Sequence, residues 1–419
     1  MKKPFIWDSY SDQPAQLKDR NFKKMMRKKE FVSLLKTFTL SLFILPFSII
    51  MMPFVKRKEV DSKTFFTLGL DFQRESQKTL EFVEELEVES ILVRFKLWEM
   101  NKLSELEIFL KELKNKQIIL KIMQDREHIE NLELLQKDME TIFKQVGNLV
   151  DIFEIGTTIN RAKWGFFSVN EYLNFYKAVY DIKQKNFQNI NLIGSGVIDF
   201  EYHFTAHTLF NFSKIKYDGV SSLLYVDRRK YPENTQIGFS LSDKIALLTT
   251  MVWLSFKTKH KLYITETNWP LSGTAPYAPT SEYECVNEQE YANYMLRYYL
   301  LAFASQQVDS VSWHQLMATG YGLVDLRDGI RKREAFLTYK FMLKCLKNAS
   351  FLRLDIKRGY YILQTTSNDM LLQIHWSLNK TTLKNEERFL VYDKNGNKID
   401  DKELKIDNSP IYIFVRDAI

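Results

Sequence analysis

Residues 261–274 read KLYITETNWPLSGT. A short β-branched and aromatic run ends on a carboxylate, Glu266, followed by Asn268, Trp269 and a loop broken by Pro270 and Gly273. A carboxylate at the end of such a run belongs where a strand opens into a cleft. At the C-terminal rim of a parallel barrel, that is the place of catalysis. Two more carboxylates, Asp199 and Glu201 in VIDFEYH, close another apolar run.

The elements that must position these groups can be read from the rest of the chain. Its 419 residues fit one large α/β domain plus something smaller. Apolar residues make up 45%, enough for a sizeable core, and aromatics reach 14%, which suits a carbohydrate or peptide cleft as well as a core. The net charge of +7 is concentrated in residues 18–36. A basic arm beside an apolar segment points to a membrane surface rather than to nucleic acid. No nucleic-acid module, Gly-rich phosphate loop or zinc-ligand spacing is present, so no metal or organic cofactor is expected. Cys285 and Cys345 make no disulfide framework and read as two unpaired thiols.

In chain order, residues 1–36 are polar and then strongly basic, and are expected to be a disordered arm. Residues 37–55, TFTLSLFILPFSIIMMPFV, carry no charge and are long enough for one span of ~20 residues. This segment is expected to anchor the chain in the inner (cytoplasmic) membrane. Its heavier basic flank stays in the cytoplasm, which places the remainder outside. Lys56, Arg57 and Lys58 on the other flank pull against that orientation.

From residue 63 short apolar runs alternate with amphipathic ones. Strands are expected at 64–72, 90–97, 117–123, 149–156, 191–199, 219–226, 261–266 and 310–315. Helices are expected at 73–86, 104–113, 129–146, 169–185, 243–256 and 288–305. This order predicts a (β/α)8 TIM barrel over 63–347. The texture then changes to alternating runs separated by turns, which predicts a small antiparallel β domain, a β-sandwich, over 350–419.

Side chains of equal parity in a strand face the same way. With Glu266 inward, Ile264 and Leu262 face in too. The strand-end ring becomes Asp71, Arg94, Met123 or Gln124, Thr158, Asp199, Tyr225, Glu266 and Trp313. Acids, an arginine, a tyrosine and a tryptophan converging on one face need mutual pairing or a polar ligand.

These residues resemble a known family. From about residue 63 onward the chain is similar to the clan A retaining glycoside hydrolases, especially those with a C-terminal β-sandwich. Residues 153–161, FEIGTTINR, resemble the strand-four motif of that clan; Glu266 in YITETNW resembles its strand-seven nucleophile; Trp313 resembles its strand-eight tryptophan; Arg94 resembles its strand-two arginine. The resemblance implies Glu266 as nucleophile and a second carboxyl about 5–5.5 Å away as acid/base. The chain departs from the pattern there. Thr158 stands at the acid/base position, Thr157 replaces the preceding asparagine, and Ile159 replaces the proline.

Asp199 or Glu201, from the neighbouring strand, could supply the missing proton. Glu154 shares the parity of Thr158 but lies ~13 Å deeper, where it suits a structural partner for Arg94 or a lysine. Asp227 and Glu99 are weaker candidates, and His203 and His207 follow in the same loop as Asp199. Trp269, Trp313 and Tyr321 are expected to offer stacking faces for sugar rings, and Asn268 and Gln315 hydrogen bonds to hydroxyls. The expected substrate is a glycan or glycolipid at the membrane. The competing expectation is a sugar-binding pseudoenzyme that has lost its acid and serves surface-glycan assembly.

Overall fold

The computed structural model describes residues 4–227, 230–367 and 370–415. Before the barrel come α1 (Arg20–Lys29) and α2 (Phe31–Met51), and a short helix, Ser62–Phe65, leads into its first strand. Eight parallel strands follow: β1 (Phe66–Leu70), β2 (Ser90–Lys96), β3 (Gln117–Met123), β4 (Ile152–Ile155), β5 (Asn191–Ile198), β6 (Gly219–Leu223), β7 (Leu262–Thr267) and β8 (Ser310–Trp313). They pair in chain order, and β8 returns to β1 to close the barrel. A strand with the barrel interior on one face and a helix on the other must be apolar on both. QIILKIM of β3 shows this, with every residue after Gln117 buried.

One helix follows each strand: α3 (Ser76–Leu86), α4 (Leu103–Glu112), α5 (Leu132–Val146), α6 (Val169–Asn186), α7 (Tyr202–Leu209), α8 (Leu241–Leu254), α9 (Glu288–Ser305) and α10 (Glu334–Leu346). Ser240 and Asn287 start α8 and α9 with reciprocal capping boxes to Asp243 and Glu290. These satisfy first-turn amides and fix where the loops above β6 and β7 end. Gly194 lets α6 press against β5, since a Cβ there would lie 2.3 Å from the Tyr172 hydroxyl. The expected strands and helices match these elements closely at β3 and α9. The expected run 129–146 begins inside a separate short helix, Arg126–Glu130, that precedes α5.

Inside the barrel, Leu92, Ile119, Ile152, Ile193 and Tyr263 form an apolar layer. Two residues further along the same strands the interior turns polar, with Arg94, Lys121, Glu154 and Thr265. The parity expected for β7 is therefore wrong. Tyr263 and Thr265 face in, while Leu262 and Ile264 pack in the main core cluster with the helices. The register between β7 and β8 shifts between Val311 and Trp313, and Glu266 reaches the interior past that irregularity. A bulge re-aims a side chain in this way.

After α10 the chain forms a six-stranded antiparallel sheet in the order Ser350–Lys357, Tyr360–Ser367, Met370–Ser377, Ile411–Val415, Phe389–Tyr392, Lys398–Ile399. A separate ribbon pairs Thr381–Lys384 with Glu403–Ile406. The Trp376 indole donates to Glu233 Oε1 at 2.7 Å and Lys394 donates to Asn293 at 2.7 Å, tying sheet to barrel. Both cysteines are free thiols.

The arm expected to be disordered is ordered in residues 4–29. Trp7–Asp8 pairs antiparallel with Gln13–Pro14, and Asp19 caps α1. A two-residue ladder has little stability of its own, so its order comes from what it rests on, the barrel mouth. Residues Phe31–Phe54 are long and apolar enough to cross a membrane, with mean hydropathy 1.9. In the structure α2 packs against α7 and α8. Its buried stripe is polar: Ser33, Thr37, Ser41 and Ser48. Thr37 Oγ1 lies 2.8 Å from His207 Nδ1. Ile44 and Leu45 touch the core, while other apolar side chains point away, with Leu42 and Phe43 72% and 77% exposed.

Thr37→Leu removes the bond to His207 and overfills this stripe, which should weaken docking of α2 by about 1–3 kcal/mol. Amide exchange across residues 202–209 should then accelerate. Unchanged exchange would mean that α2 does not cover α7 in solution.

Candidate active site

Glu266 lies at the C-terminal end of β7 in a pocket of about 190 Å³ at the barrel mouth. Asp12, Arg94, Thr158, Tyr225, Asn268, His314 and Tyr321 line the same pocket. The Tyr225 hydroxyl donates to Glu266 Oε1 at 2.7 Å. The Lys121 ammonium lies 3.3 Å from Glu266 Oε2 and 3.4 Å from Glu154 Oε2. Burial pushes the Glu266 carboxyl up, but Lys121, Arg94 and the Tyr225 hydroxyl outweigh it and bring it down to about 2. Glu266 is therefore an ionised carboxylate with fixed orientation. Glu154, fully buried and bonded by the Thr265 hydroxyl at 2.8 Å, is instead pushed up, chiefly by burial. His314 is driven down to about 3 by burial and is a neutral imidazole. It stacks on Tyr321 with ring centroids 5.2 Å apart.

Arg94 does not pair with Glu266. Its Nη2 donates to Asp12 Oδ2 of the N-terminal hairpin. The same oxygen accepts from Tyr321 OH at 3.2 Å and lies 3.2 Å from Arg74 Nη2. Gln13 Nε2 donates to Pro279 O at 2.9 Å, and Lys163 Nζ to Gln13 Oε1 at 2.5 Å. Trp7 packs between Trp98 and Trp164, at 5.3 and 6.0 Å, with Lys96 over its ring. The hairpin thus covers the mouth and places a carboxylate inside it.

The other expected site residues divide into two groups. Thr158 lines the pocket at φ 52°, its hydroxyl 3.4 Å from that of Thr157. Asn268 lines it too, with Nδ2 donating to His314 O at 2.6 Å. Asp71 sits to one side, 3.2 Å from Arg74 Nε. Trp313 and Trp269 are fully buried and stacked on each other at 5.8 Å, the Trp313 indole donating to Tyr291 OH at 2.7 Å. Neither ring lines the pocket, so neither offers the stacking face expected for a sugar. Gln315 is fully buried, and its amide makes no hydrogen bond among the described residues.

Asp199 and Glu201 lie in an adjoining pocket of about 300 Å³ with Asp227. Arg161 grips both, Nη2 to Asp199 at 2.7 Å and Nη1 to Glu201 at 2.6 Å, and Asn160 donates to Glu201 at 2.7 Å. Arg161 and Tyr225 line both pockets and separate the two carboxylates from Glu266. Glu99 is engaged by Gln73 at 2.5 Å and does not line the pocket of Glu266. His207 is held by α2.

Sequence reasoning missed Lys121, Arg74, Arg161, His314 and Asp12. A lysine inside QIILKIM was a signal, because a buried ammonium requires an acid within reach. Asp12 carried no local signal; its role rests on contacts across the chain.

No family model matches this chain, and no curated protein matches it. Solved structures do match, and they are clan A glycoside hydrolases built on a parallel eight-stranded barrel. A family 39 glycoside hydrolase from the gut symbiont Bacteroides cellulosilyticus WH2 is 15% identical, with TM-score 0.64 over 86% of this chain and 82% of that one. A glycoside hydrolase family 30 subfamily 8 xylanase from Clostridium acetobutylicum is 8% identical, with TM-score 0.59 over 86% and 97%. A GH51 arabinofuranosidase from Xanthomonas axonopodis pv. citri is 12% identical, with TM-score 0.59 over 86% and 97%. At these identities the likeness is one of fold.

Lys121→Met leaves two buried carboxylates with no cation between them. It should cost about 3–5 kcal/mol at neutral pH, read as a lower urea midpoint. The hairpin should respond to acid. Burial raises the Asp12 carboxyl, but Arg94 and Arg74 win and hold it below its ordinary 3.8. A lowered folded-state value means that docking is at full strength above 3.8 and is lost as pH falls further. Amide protection in residues 7–13, taken relative to the intrinsic exchange rate at each pH, should stay high at pH 6 and fall as pH drops below 3.8. Protection insensitive to acid would detach Asp12 from hairpin docking.

Proposed function

We propose that this chain is a membrane-associated glycoside hydrolase or transglycosylase of the retaining type, acting on a glycan or glycolipid, with Glu266 as nucleophile. The observation that carries this reading is the ionised Glu266 carboxylate at the barrel mouth, held by Tyr225 and Lys121. A glycosyl-transfer nucleophile needs this state: charged, oriented and out of bulk water. Glu266 attacks the anomeric carbon, the glycosidic C–O bond breaks, and a glycosyl ester forms. Water or a sugar hydroxyl then attacks that ester and frees the carboxylate.

The proton for the leaving oxygen is assigned to Asp199 or Glu201. They reach a leaving group that extends past Tyr225 into the adjoining pocket, once Arg161 releases one of them. Tyr321, Asn268 and Thr158 face the bound sugar, Asp71 and Arg94 border it, and Trp313, Trp269 and Gln315 support it from behind. The exposed apolar side of α2 and the basic residues of α1 bring the barrel to anionic lipid.

A second reading, a sugar-binding pseudoenzyme, is favoured by one observation. Asp199 and Glu201, the two carboxylates assigned the proton, are both committed to Arg161.

Aryl glycosides separate the two readings, because a good leaving group needs little protonation. The full chain and Trp7→Ala, whose hairpin loses its packing anchor, should both be assayed. Release of dinitrophenolate with a burst is expected, abolished by Glu266→Gln. Alkyl glycosides should react about 10²–10⁴-fold more slowly if no proton donor operates. Binding without release of any aglycone, in both proteins, would leave the pseudoenzyme.

A further inference from the structure

The hairpin fills the mouth with a specific chemical group. Asp12 is 5% exposed, and its Oδ2 takes Arg94, Arg74 and the Tyr321 hydroxyl at once. Arg74 has other partners, Asp71 at 3.2 Å and Met317 O at 3.2 Å. Arg94 has none. Among the described residues its sole hydrogen-bonding partner is Asp12, and its buried Nε has no acceptor. A buried guanidinium deprived of its anion is strongly destabilising. When the hairpin leaves, the place of the Asp12 carboxylate between Arg94 and Arg74 opens to an external anion. That place borders Glu266, where the sugar would lie. The bonds made to Asp12 define the geometry: two guanidiniums and a phenol converging on one carboxylate oxygen, a charge-assisted set.

We propose that Arg94 and Arg74 form a subsite for the carboxylate of an acidic sugar, and that Asp12 occupies this subsite as a built-in competitor. The proposal rests on the glycan reading of the mouth and narrows it to uronate-bearing substrates. The hairpin is suited to leaving: its own ladder is two residue pairs, and the rest of its hold is side-chain contact with the rim. A site that is competent only when the hairpin is off binds its ligand with an affinity reduced by the fraction of time it is free.

The test measures binding, by titration calorimetry, of methyl glucuronoside and methyl glucoside to the full chain, to Trp7→Ala and to Asp12→Asn. Trp7→Ala frees the hairpin without touching the socket, and Asp12→Asn removes the competing charge. Both should bind the glucuronoside about tenfold or more tightly than the unaltered chain does, as a competitor-blocked site predicts. The glucoside should gain less, and Arg74→Gln added to Trp7→Ala should erase the difference between the sugars. Equal gains for the two sugars would overturn the carboxylate subsite. So would the lack of any gain when amide exchange shows residues 7–14 released, because Arg94 would then have found Glu266 instead. The readout needs no turnover. A chain that binds uronate but releases no aryl group refutes the nucleophile and keeps the subsite; the converse result does the opposite.

Discussion

The constraint on which this mouth depends is a single buried cation. Lys121 stands between Glu154 and Glu266 on three strands of one barrel, almost wholly out of water. Two carboxylates this close in a low-dielectric interior cannot both stay charged without it. The ammonium divides them unequally. Glu154, deeper and fully enclosed, is displaced toward the neutral form, while Glu266 stays charged. Tyr225 then fixes one oxygen of Glu266. The polar layer of Arg94, Lys121, Glu154 and Thr265 sits directly on an apolar layer that could hydrate none of them. Any charge at the rim is tolerated through this network.

Much of the architecture could be read in the chain because barrel strands are buried on both faces and announce themselves as short apolar runs. The runs at 117–123 and 288–305 coincide with β3 and α9. The helices α7 and α10 were not foreseen; α7 has only eight residues and begins three residues after β5, so its period is hard to see. In the C-terminal domain, Thr381–Lys384 is short and largely exposed, and Glu403–Ile406, although Leu404 and Ile406 alternate into the core, spans only four residues. The parity of β7 could not be read, because the shift beside Trp313 breaks the two-residue period just before Glu266.

The site was legible in its types more than in its pairings. Arg94, Tyr225, Thr158, Asn268, Tyr321 and Glu266 do share one pocket. Trp269 and Trp313 are turned into the core, where the indole of Trp313 meets the Tyr291 hydroxyl. Arg161 could not be foreseen as the residue that gathers Asp199 and Glu201, since all three sit on loops whose mutual approach depends on barrel closure. Glu154 was placed deep as a partner for Arg94 or a lysine, and its partner is Lys121. Composition made the N-terminal arm read as disordered, because polar, Pro-containing segments lack a core of their own; this one borrows the barrel's.

The position of that hairpin has a consequence for sidedness. Residues 4–17 rest on the barrel mouth, residues 58–66 enter the barrel wall, and α2 lies between them. A helix whose two flanks are held by one body enters and leaves on the same side, so in this arrangement α2 cannot thread a bilayer. At a membrane, this arrangement would let it lie only along the lipid surface, outward face down. Threading, with the basic flank inside and the barrel outside, carries residues 1–30 to the opposite compartment and takes Asp12 with them. Cleft occupancy and membrane crossing are thus two exclusive topologies of one segment, and a threaded molecule is necessarily an uncovered one.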